Sequence, residues 1–366
     1  MFFENITFVF NYINHYYRNS FMTKSLIKKL LLYSFSVFLL LTVVFFFWWC
    51  LSWSIIPLKN HIEYPKGNFD LAQPLPIART ESNGIVCNGS LYQLGGLNEF
   101  AQTLQDFYRY DSSKKEWQQL PDLPQPINHP GIATHQNLIF VVGGFGALGI
   151  NLRGAMIAKY YPKKTLYAYH IQTKKWYQLA DLPEARGAGG CTCVGDTIWY
   201  SGGINEQKKV TNSLFGYSIS KNKWFVAKHF CIARDHHRME AVDGNLYVIS
   251  GRQDDIRFTL TSVEQYHIAN NSWKDVKAIP LGRGGLGSAV HNGLIYTFGG
   301  ELLWHCLDNF ECYNPVTDEW QILPALPEGR HGIVGGFLGN TLHLVSGGKH
   351  PRISVSSIHR TFILKK

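Results

Sequence analysis

The sequence predicts an all-β ring of six four-stranded sheets, and three observations predict it. A glycine pair, or Ser-Gly in its place, closes an apolar run at six places, a tyrosine is followed seven residues later by a tryptophan at five, and the two ends of the chain carry complementary pieces of one unit. Composition agrees. Of 366 residues 45% are hydrophobic, 14% aromatic and only 17% charged, with 34 glycines, which excludes a disordered chain and disfavours a helix bundle. The seven cysteines (Cys50, Cys87, Cys191, Cys193, Cys231, Cys306, Cys312) are odd in number, scattered and without paired Cys-x-x-Cys spacing, so neither a disulfide framework nor a zinc site follows.

The first element is apolar. No charge lies between Lys29 and Lys59, and Leu30 to Trp53 is hydrophobic for nearly its whole length, enough to cross a hydrocarbon core of about 30 Å. Arg18, Lys24, Lys28 and Lys29 precede it against one acid, Glu4, so the positive-inside bias leaves the N-terminus in the cytoplasm and the rest outside, in a periplasm or lumen. Residues 1–29 are therefore expected to be a short basic cytoplasmic segment, 30–57 a transmembrane signal anchor, 58–68 a linker and 69–366 the ring. Trp48, Trp49 and Trp53 suit the far membrane interface. The aromatics from Phe45 to Trp53 lack the small residues of a cleavage site; a removed signal, leaving a secreted ring, is the alternative. Met22 opens a basic stretch of its own, so residues 1–21 also read as a start-site extension. Without residues 1–58 the chain keeps 31 basic and 25 acidic residues, a net charge of +6. No Lys/Arg run with interleaved aromatics accompanies it, which argues against nucleic acid and for an anionic small molecule, a glycan or an acidic protein segment.

The ring follows from self-comparison. The glycine slot is read at Gly95-Gly96, Gly143-Gly144, Gly202-Gly203, Ser250-Gly251, Gly299-Gly300 and Gly347-Gly348, spaced by 48, 59, 48, 49 and 48 residues. Tyr110/Trp117, Tyr169/Trp176, Tyr217/Trp224, Tyr266/Trp273 and Tyr313/Trp320 flank polar hairpin tips, placing each pair on neighbouring strands. Leu-Pro-x-x-Arg recurs between units, as at 182–186 and 326–330 with looser copies ending in Arg234 and Arg283, and in most units the arginine precedes the glycine slot by 16 residues. Each unit so carries four strands, and four-stranded units that cannot bury both faces alone stack radially into a propeller. The last unit has room for a third strand near Ile358 to Leu364 but no fourth; Phe69 to Arg79 superposes without a gap on Trp320 to Arg330 and supplies it. The N-terminal strand therefore closes the C-terminal blade and removes the open edge.

The double glycine, the spaced Tyr and Trp, and the six-fold count resemble the kelch repeat family over residues 69–366. The resemblance implies a six-bladed propeller whose loops after the second and fourth strands share a binding face. It implies no single activity.

Candidate ligand-binding residues are Arg79, Arg186, Arg234, Arg283 and Arg330, with Ile127 in the slot of the second unit. Guanidinium at equivalent height in five blades would concentrate anions and grip carboxylate through paired hydrogen bonds; alternatively each caps carbonyls of its own loop. After the glycine slot the units read Leu97, Phe145, Ile204, Arg252, Glu301 and Lys349, so one half of the ring is apolar and the other charged, as an amphipathic anion would require, unless the charges pair with each other at the rim. His236 and His237 are adjacent and face opposite ways on a strand, so no metal is expected, and no cofactor. Cys191 and Cys193 read as small hydrophobes; Asn88 and Asn270 head glycosylation acceptor patterns. Unit two carries about eleven extra residues between its second and third strands, with Tyr160, Tyr161, Lys163 and Lys164, expected to overhang the face as a lid, a recognition loop or ornament.

Two functions stay open. One is a membrane-anchored binding module for an acidic peptide or glycan. The other is an enzyme similar in architecture to the exported sialic acid (N-acetylneuraminate) epimerases, with Glu301, Arg252 and His236 as acid/base and carboxylate-gripping parts. Without a C-terminal sandwich or a preceding BTB-type domain, neither a copper radical oxidase nor a ubiquitin-ligase adaptor is expected.

Overall fold

A computed structural model describes residues 24–53, 67–152, 155–352 and 354–364. Most of the basic N-terminal segment and of the linker lies outside these, as do the side chains of Trp48, Trp49, Trp53 and residues 147–159. Two compact units divide the chain, residues 1–59 and 60–366.

In the first unit a single helix, α1 (Lys24–Trp53, 30 residues), begins six residues earlier than the apolar run. Its segment Lys28–Phe45 is long and apolar enough to cross a bilayer by length and composition.

In the second unit the fourth strand of the last blade comes first, as β1 (Asp70–Ala72). Blade one holds β2 (Asn83–Cys87), β3 (Ser90–Leu94), β4 (Phe107–Asp111) and β5 (Glu116–Leu120). Blade two holds β6 (Gly131–His135), β7 (Leu138–Val142), then an inserted hairpin of β8 (Phe145–Leu152) and β9 (Ala155–Pro162), then β10 (Leu166–His170) and β11 (Lys175–Gln178). Blade three is β12 (Gly190–Val194), β13 (Thr197–Ser201), β14 (Leu214–Ser218) and β15 (Lys223–Ala227); blade four is β16 (Arg238–Val242), β17 (Asn245–Ile249), β18 (Val263–His267) and β19 (Ser272–Val276). Blade five is β20 (Gly287–His291), β21 (Leu294–Phe298), β22 (Phe310–Asn314) and β23 (Glu319–Ile322). Blade six runs β24 (Val334–Leu338), β25 (Thr341–Val345), β26 (His359–Ile363) and then β1, with Asp70 opposite Thr361 and Ala72 opposite His359. The extra residues of unit two are thus a paired hairpin rather than an irregular loop, with Phe145 opposite Pro162.

Six apolar clusters hold the ring, one between each pair of neighbouring blades. The cluster between blades one and two joins Tyr92 and Phe107 to Ile139 and Tyr169; the closing one joins Val334 and Val345 to Leu91 and Tyr110. Each tyrosine of the seven-residue spacing pairs directly with its tryptophan across the hairpin, as Tyr110 with Trp117 and Tyr313 with Trp320, ring centroids 5.1 and 5.0 Å apart. The indole then reaches backwards: Trp320 Nε1 donates to Lys277 O of the preceding blade at 2.9 Å, and Trp117 Nε1 to Gln73 O at 3.0 Å. Spacing in sequence becomes stitching between blades. The innermost strands surround an axial channel of about 380 Å³.

Candidate functional site

The repeated arginines lie inside the blades. Arg79, Arg234, Arg283 and Arg330 are fully buried. Each guanidinium donates to the carbonyl of the residue 16 positions on, which opens the glycine slot of its own blade: Gly95 O (2.9 Å), Ser250 O (3.0 Å), Gly299 O (2.7 Å) and Ser346 O (2.7 Å). Buried carboxylates complete the pairing, Glu264 for Arg234 and Glu311 for Arg283. Arg186, also buried, donates to Ala185 O at 3.0 Å and pairs with Glu184. These five side chains cap their loops, and none of them lines the open face.

The slot itself locks one blade to the next. The N–H of its second residue bonds the carbonyl of the arginine position in the following blade, as Gly96 to Ile127 (2.8 Å), Gly300 to Arg330 (2.8 Å) and Gly347 to Arg79 (2.9 Å). Gly96 has φ 95°, and a Cβ there would lie 2.6 Å from Thr80 O, so glycine is required. The sixth slot is consequently Ser346-Gly347, matching Ser250-Gly251, and not Gly347-Gly348. The residue after it is Gly348, which bridges His331, whereas Lys349 is exposed beyond the slot. Lys349 therefore does not hold the position equivalent to Arg252 and Glu301.

Two residues after the arginine position, every blade turns through a left-handed residue at the axis: Glu81, His129, Ala188, His236, Gly285 and Gly332, with φ between 49° and 63°. Their backbones form a belt, His129 N to Glu81 O (2.8 Å), Ala188 N to His129 O (3.1 Å), His236 N to Ala188 O (2.9 Å), Gly285 N to His236 O (2.9 Å) and Gly332 N to Gly285 O (2.8 Å). The belt carries Glu81, His129 and His236 together at the floor of a cleft of about 800 Å³.

One side of that cleft is apolar, with Leu97, Phe145 and Ile204 after the slots of blades one to three and Tyr160 from the hairpin. The other is charged, and it is centred on Arg252. Arg252 Nη1 donates to Glu301 Oε1 (3.0 Å), Nε to Asp235 Oδ1 (3.1 Å) and Nη2 to His236 Nε2 (2.9 Å). His236 Nδ1 bonds Asp235 in turn, while Arg352 N donates to Glu301 Oε2 at 2.9 Å. Burial would raise Asp235, but His236 and Arg252 outweigh it and hold the carboxyl below its usual range. Burial, aided by Arg252 and opposed by Asp235, lowers His236. Burial would also raise Glu81, yet His129, His331 and His236 hold it well down.

The structure so unites the three residues expected to act together, Glu301, Arg252 and His236. Sequence reading missed their partners Asp235, Glu81, His129 and Arg352. Asp235 had a signal, lying next to His236 in the one stretch where charge replaces small residues. Glu81 and His129 had one too, sitting two places after the arginine slot in other blades. His237 is turned into the core, where its Nε2 accepts from Ser201 Oγ (2.9 Å) and Gly190 N (3.1 Å). Burial pushes the Cys193 and Cys312 thiols up to about 11, as for inert small hydrophobes.

A family model described as the KLHDC2/KLHL20/DRC7 Kelch-repeats domain matches residues 51–232 and 158–348. The chain belongs to the kelch-repeat family. Among curated kelch relatives, Kelch-like protein terF of Aspergillus terreus is 23% identical over 330 residues, 85% of this chain and 67% of that protein. Alpha-scruin of Limulus polyphemus is 28% identical over 215 residues, 56% of this chain and 22% of its own. The chain spans well under two thirds of most such relatives, as with Kelch-like protein 41a of Danio rerio, of which it covers 36%. The solved structure of YjhT superposes with a TM-score of 0.68 at 15% identity, covering 81% of this chain and 98% of that one, which supports the kelch propeller as fold.

Proposed function

We propose that this kelch propeller is a membrane-tethered binding module whose open face takes an amphipathic anion, an acidic peptide or an acidic glycan, on the extracytoplasmic side. The observation that carries the reading is the two-sided cleft. Its apolar wall of Leu97, Phe145 and Ile204 offers a place for an apolar group, and opposite it Arg252 is fixed by Asp235 and Glu301 with three of its five N–H donors used, leaving two for a carboxylate. The buried arginines of the repeats take no part. Titrating the detergent-solubilised full chain with N-acetylneuraminate and with a glutamate-rich peptide, watched by ligand NMR, tests it. One of the two should bind and should lose affinity on Arg252→Lys, which keeps the charge and removes the fork. Binding indifferent to that change, or none of either probe, refutes the anion reading.

The tether rests on α1 and on the bias of Lys24, Lys28 and Lys29 at its N-terminal end, ahead of the apolar run. In intact cells external protease should digest the propeller and spare an N-terminal tag; the reverse pattern overturns the topology.

A second reading has its own observation. Glu301, Arg252 and His236 lie in one hydrogen-bonded chain, the constellation a sialic acid epimerase would need to grip a sugar carboxylate and exchange protons as the ring opens and recloses. Proton NMR of freshly generated α-N-acetylneuraminate decides: anomeric conversion faster than the spontaneous rate, and slowed by Glu301→Gln, supports it; the spontaneous rate removes it.

A further inference from the structure

We infer that the axial belt carries a divalent metal site, with Glu81, His129 and His236 as a two-histidine, one-carboxylate ligand set suited to a borderline cation such as zinc, manganese or iron(II). Three observations lead there. First, of the six equivalent axial positions, three hold the small residues Ala188, Gly285 and Gly332, and the other three hold these metal-ligating side chains, whose donor atoms lie within 4.8 Å of one another. A side chain in left-handed backbone costs about 1–3 kcal/mol, which glycine avoids in blades five and six. Such strain concentrates at functional sites.

Second, both imidazoles are oriented from behind. His129 Nδ1–H donates to Asn128 Oδ1 (2.6 Å), itself held by Asn128 Nδ2 on Thr103 Oγ1 (2.9 Å), and His236 Nδ1–H donates to the Asp235 carboxylate. Metal-ligating histidines characteristically give the second ring N–H to a side-chain or backbone oxygen, which aims the other nitrogen at the ion. Third, this leaves His129 Nε2 facing Glu81 Oε2 at 3.1 Å. A proton on Nε2 bridges that pair in the metal-free chain, and a metal ion bound there would take the proton's place.

Charge points the same way. Asp235 and Glu301 are buried carboxylates that share the Arg252 guanidinium, and Glu81 is a third buried carboxylate within electrostatic reach of Arg252 and Arg238. On the far side of Glu81, His331 Nε2 lies 3.5 Å from its second oxygen and 3.7 Å from Glu301 Oε2, and gives its N–H to Arg352 O at 2.7 Å. Arg252 Nη2 now donates to His236 Nε2, so guanidinium and metal compete for that nitrogen. The cleft supplies the entry path and the remaining coordination positions. Linear spacing hides the set, since the three ligands are 48 and 107 residues apart in three different blades.

The test uses the full chain stripped with a chelator and titrated with Co²⁺ and Zn²⁺, followed by calorimetry and by the visible absorption of Co²⁺. One ion per chain is expected, lost in Glu81→Gln and in His129→Ala, weakened about 10–100-fold by Asn128→Ala, and tightened by Arg252→Gln, which frees His236. Thermal melts of each variant show whether it folds. If the ligand variants fail to fold, Asn128→Ala decides, and unchanged affinity there overturns the site. So does a wild-type chain that retains no ion, or one ion still bound by folded Glu81→Gln. None of these outcomes depends on an acidic ligand, so the site stands or falls apart from the binding reading above.

Discussion

Arg283 and Arg252 belong to the same part of the ring, and each neutralises a buried carboxylate, yet they do opposite work. Arg283 is fully buried, its donors on Gly299 O (2.7 Å), Leu281 O (2.8 Å) and Glu311. Arg252 keeps 16% of its side chain exposed at the cleft and holds Asp235 and Glu301 together. Arg283 has counterparts in blades one, three, four and six; Arg252 has none, because the same position elsewhere is Leu97, Phe145, Ile204, Glu301 or Gly348. In a repeat protein a feature present in every unit answers to what every unit must do, which is to fold and stack. A feature in one unit answers to a ligand.

The largest effect should separate the two directly. Arg283→Ala strands Glu311 in the core and should cost about 3–5 kcal/mol, read as a drop in the denaturant midpoint. Replacing both partners, Arg283→Met with Glu311→Leu, should recover most of that, because a buried pair is often exchangeable for apolar packing. If the single change costs under about 1 kcal/mol, the arginine is not structural.

Acid acts on the scaffold too, with a comparable effect. His343 Nδ1–H donates to His359 Nε2 (2.8 Å), and His359 Nδ1–H to Gln73 O (3.0 Å), tying down the N-terminal strand that closes the ring. Burial lowers His343 to about 4 and His359 to about 3, and burial with Arg234 lowers His237 to about 3. Because the folded values lie below the unfolded one, the native state holds fewer protons. Stability is complete above pH 6.5 and falls as pH drops toward the folded values. From pH 6.5 to 5 each group should cost about 2 kcal/mol. Equal denaturant midpoints at pH 7 and pH 5 would contradict this.

What could be read from the sequence follows the same division. The Tyr/Trp spacing, the glycine slots and the borrowed strand are repeated or complementary, so periodicity exposes them, and the structure pairs Tyr110 with Trp117 and β1 with β26 accordingly. The sixth slot was displaced by one residue because Gly347-Gly348 imitates a glycine pair. The constant 16 residues from the arginine point to Ser346, where the Arg330 guanidinium bonds. Depth was not legible either, since a repeated arginine reads alike on a face or beneath it until Glu264 and Glu311 are seen beside it. The contacts of the site join Glu81, His129, Asp235, Arg252 and Glu301 across four blades, and no local pattern encodes which loops meet at the axis.

On the face, Arg252→Lys should leave the fold nearly untouched, within about 1 kcal/mol, since a positive charge still faces Asp235 and Glu301. Affinity for the acidic probe should fall tenfold or more at the same time, about 1.4 kcal/mol. That pattern inverts the one expected of Arg283. A variant that loses stability and binding together would place Arg252 with the scaffold instead.

The smallest effect asks whether the axial belt merely tolerates side chains. Ala188 occupies its left-handed position at φ 58° with no polar group to offer, where blades five and six have glycine. Ala188→Gly should therefore stabilise the ring by about 0.5–1 kcal/mol, the steric relief exceeding the entropy glycine adds to the unfolded chain, and thermal melts can resolve it. His129→Gly offers the same relief of backbone strain but removes the contact with Glu81 at 3.1 Å, so it should not stabilise. If both changes raise the melting temperature equally, the histidine contributes nothing at the axis beyond bulk. If only Ala188→Gly does, the strained backbone at Glu81, His129 and His236 is held for what the three side chains do together.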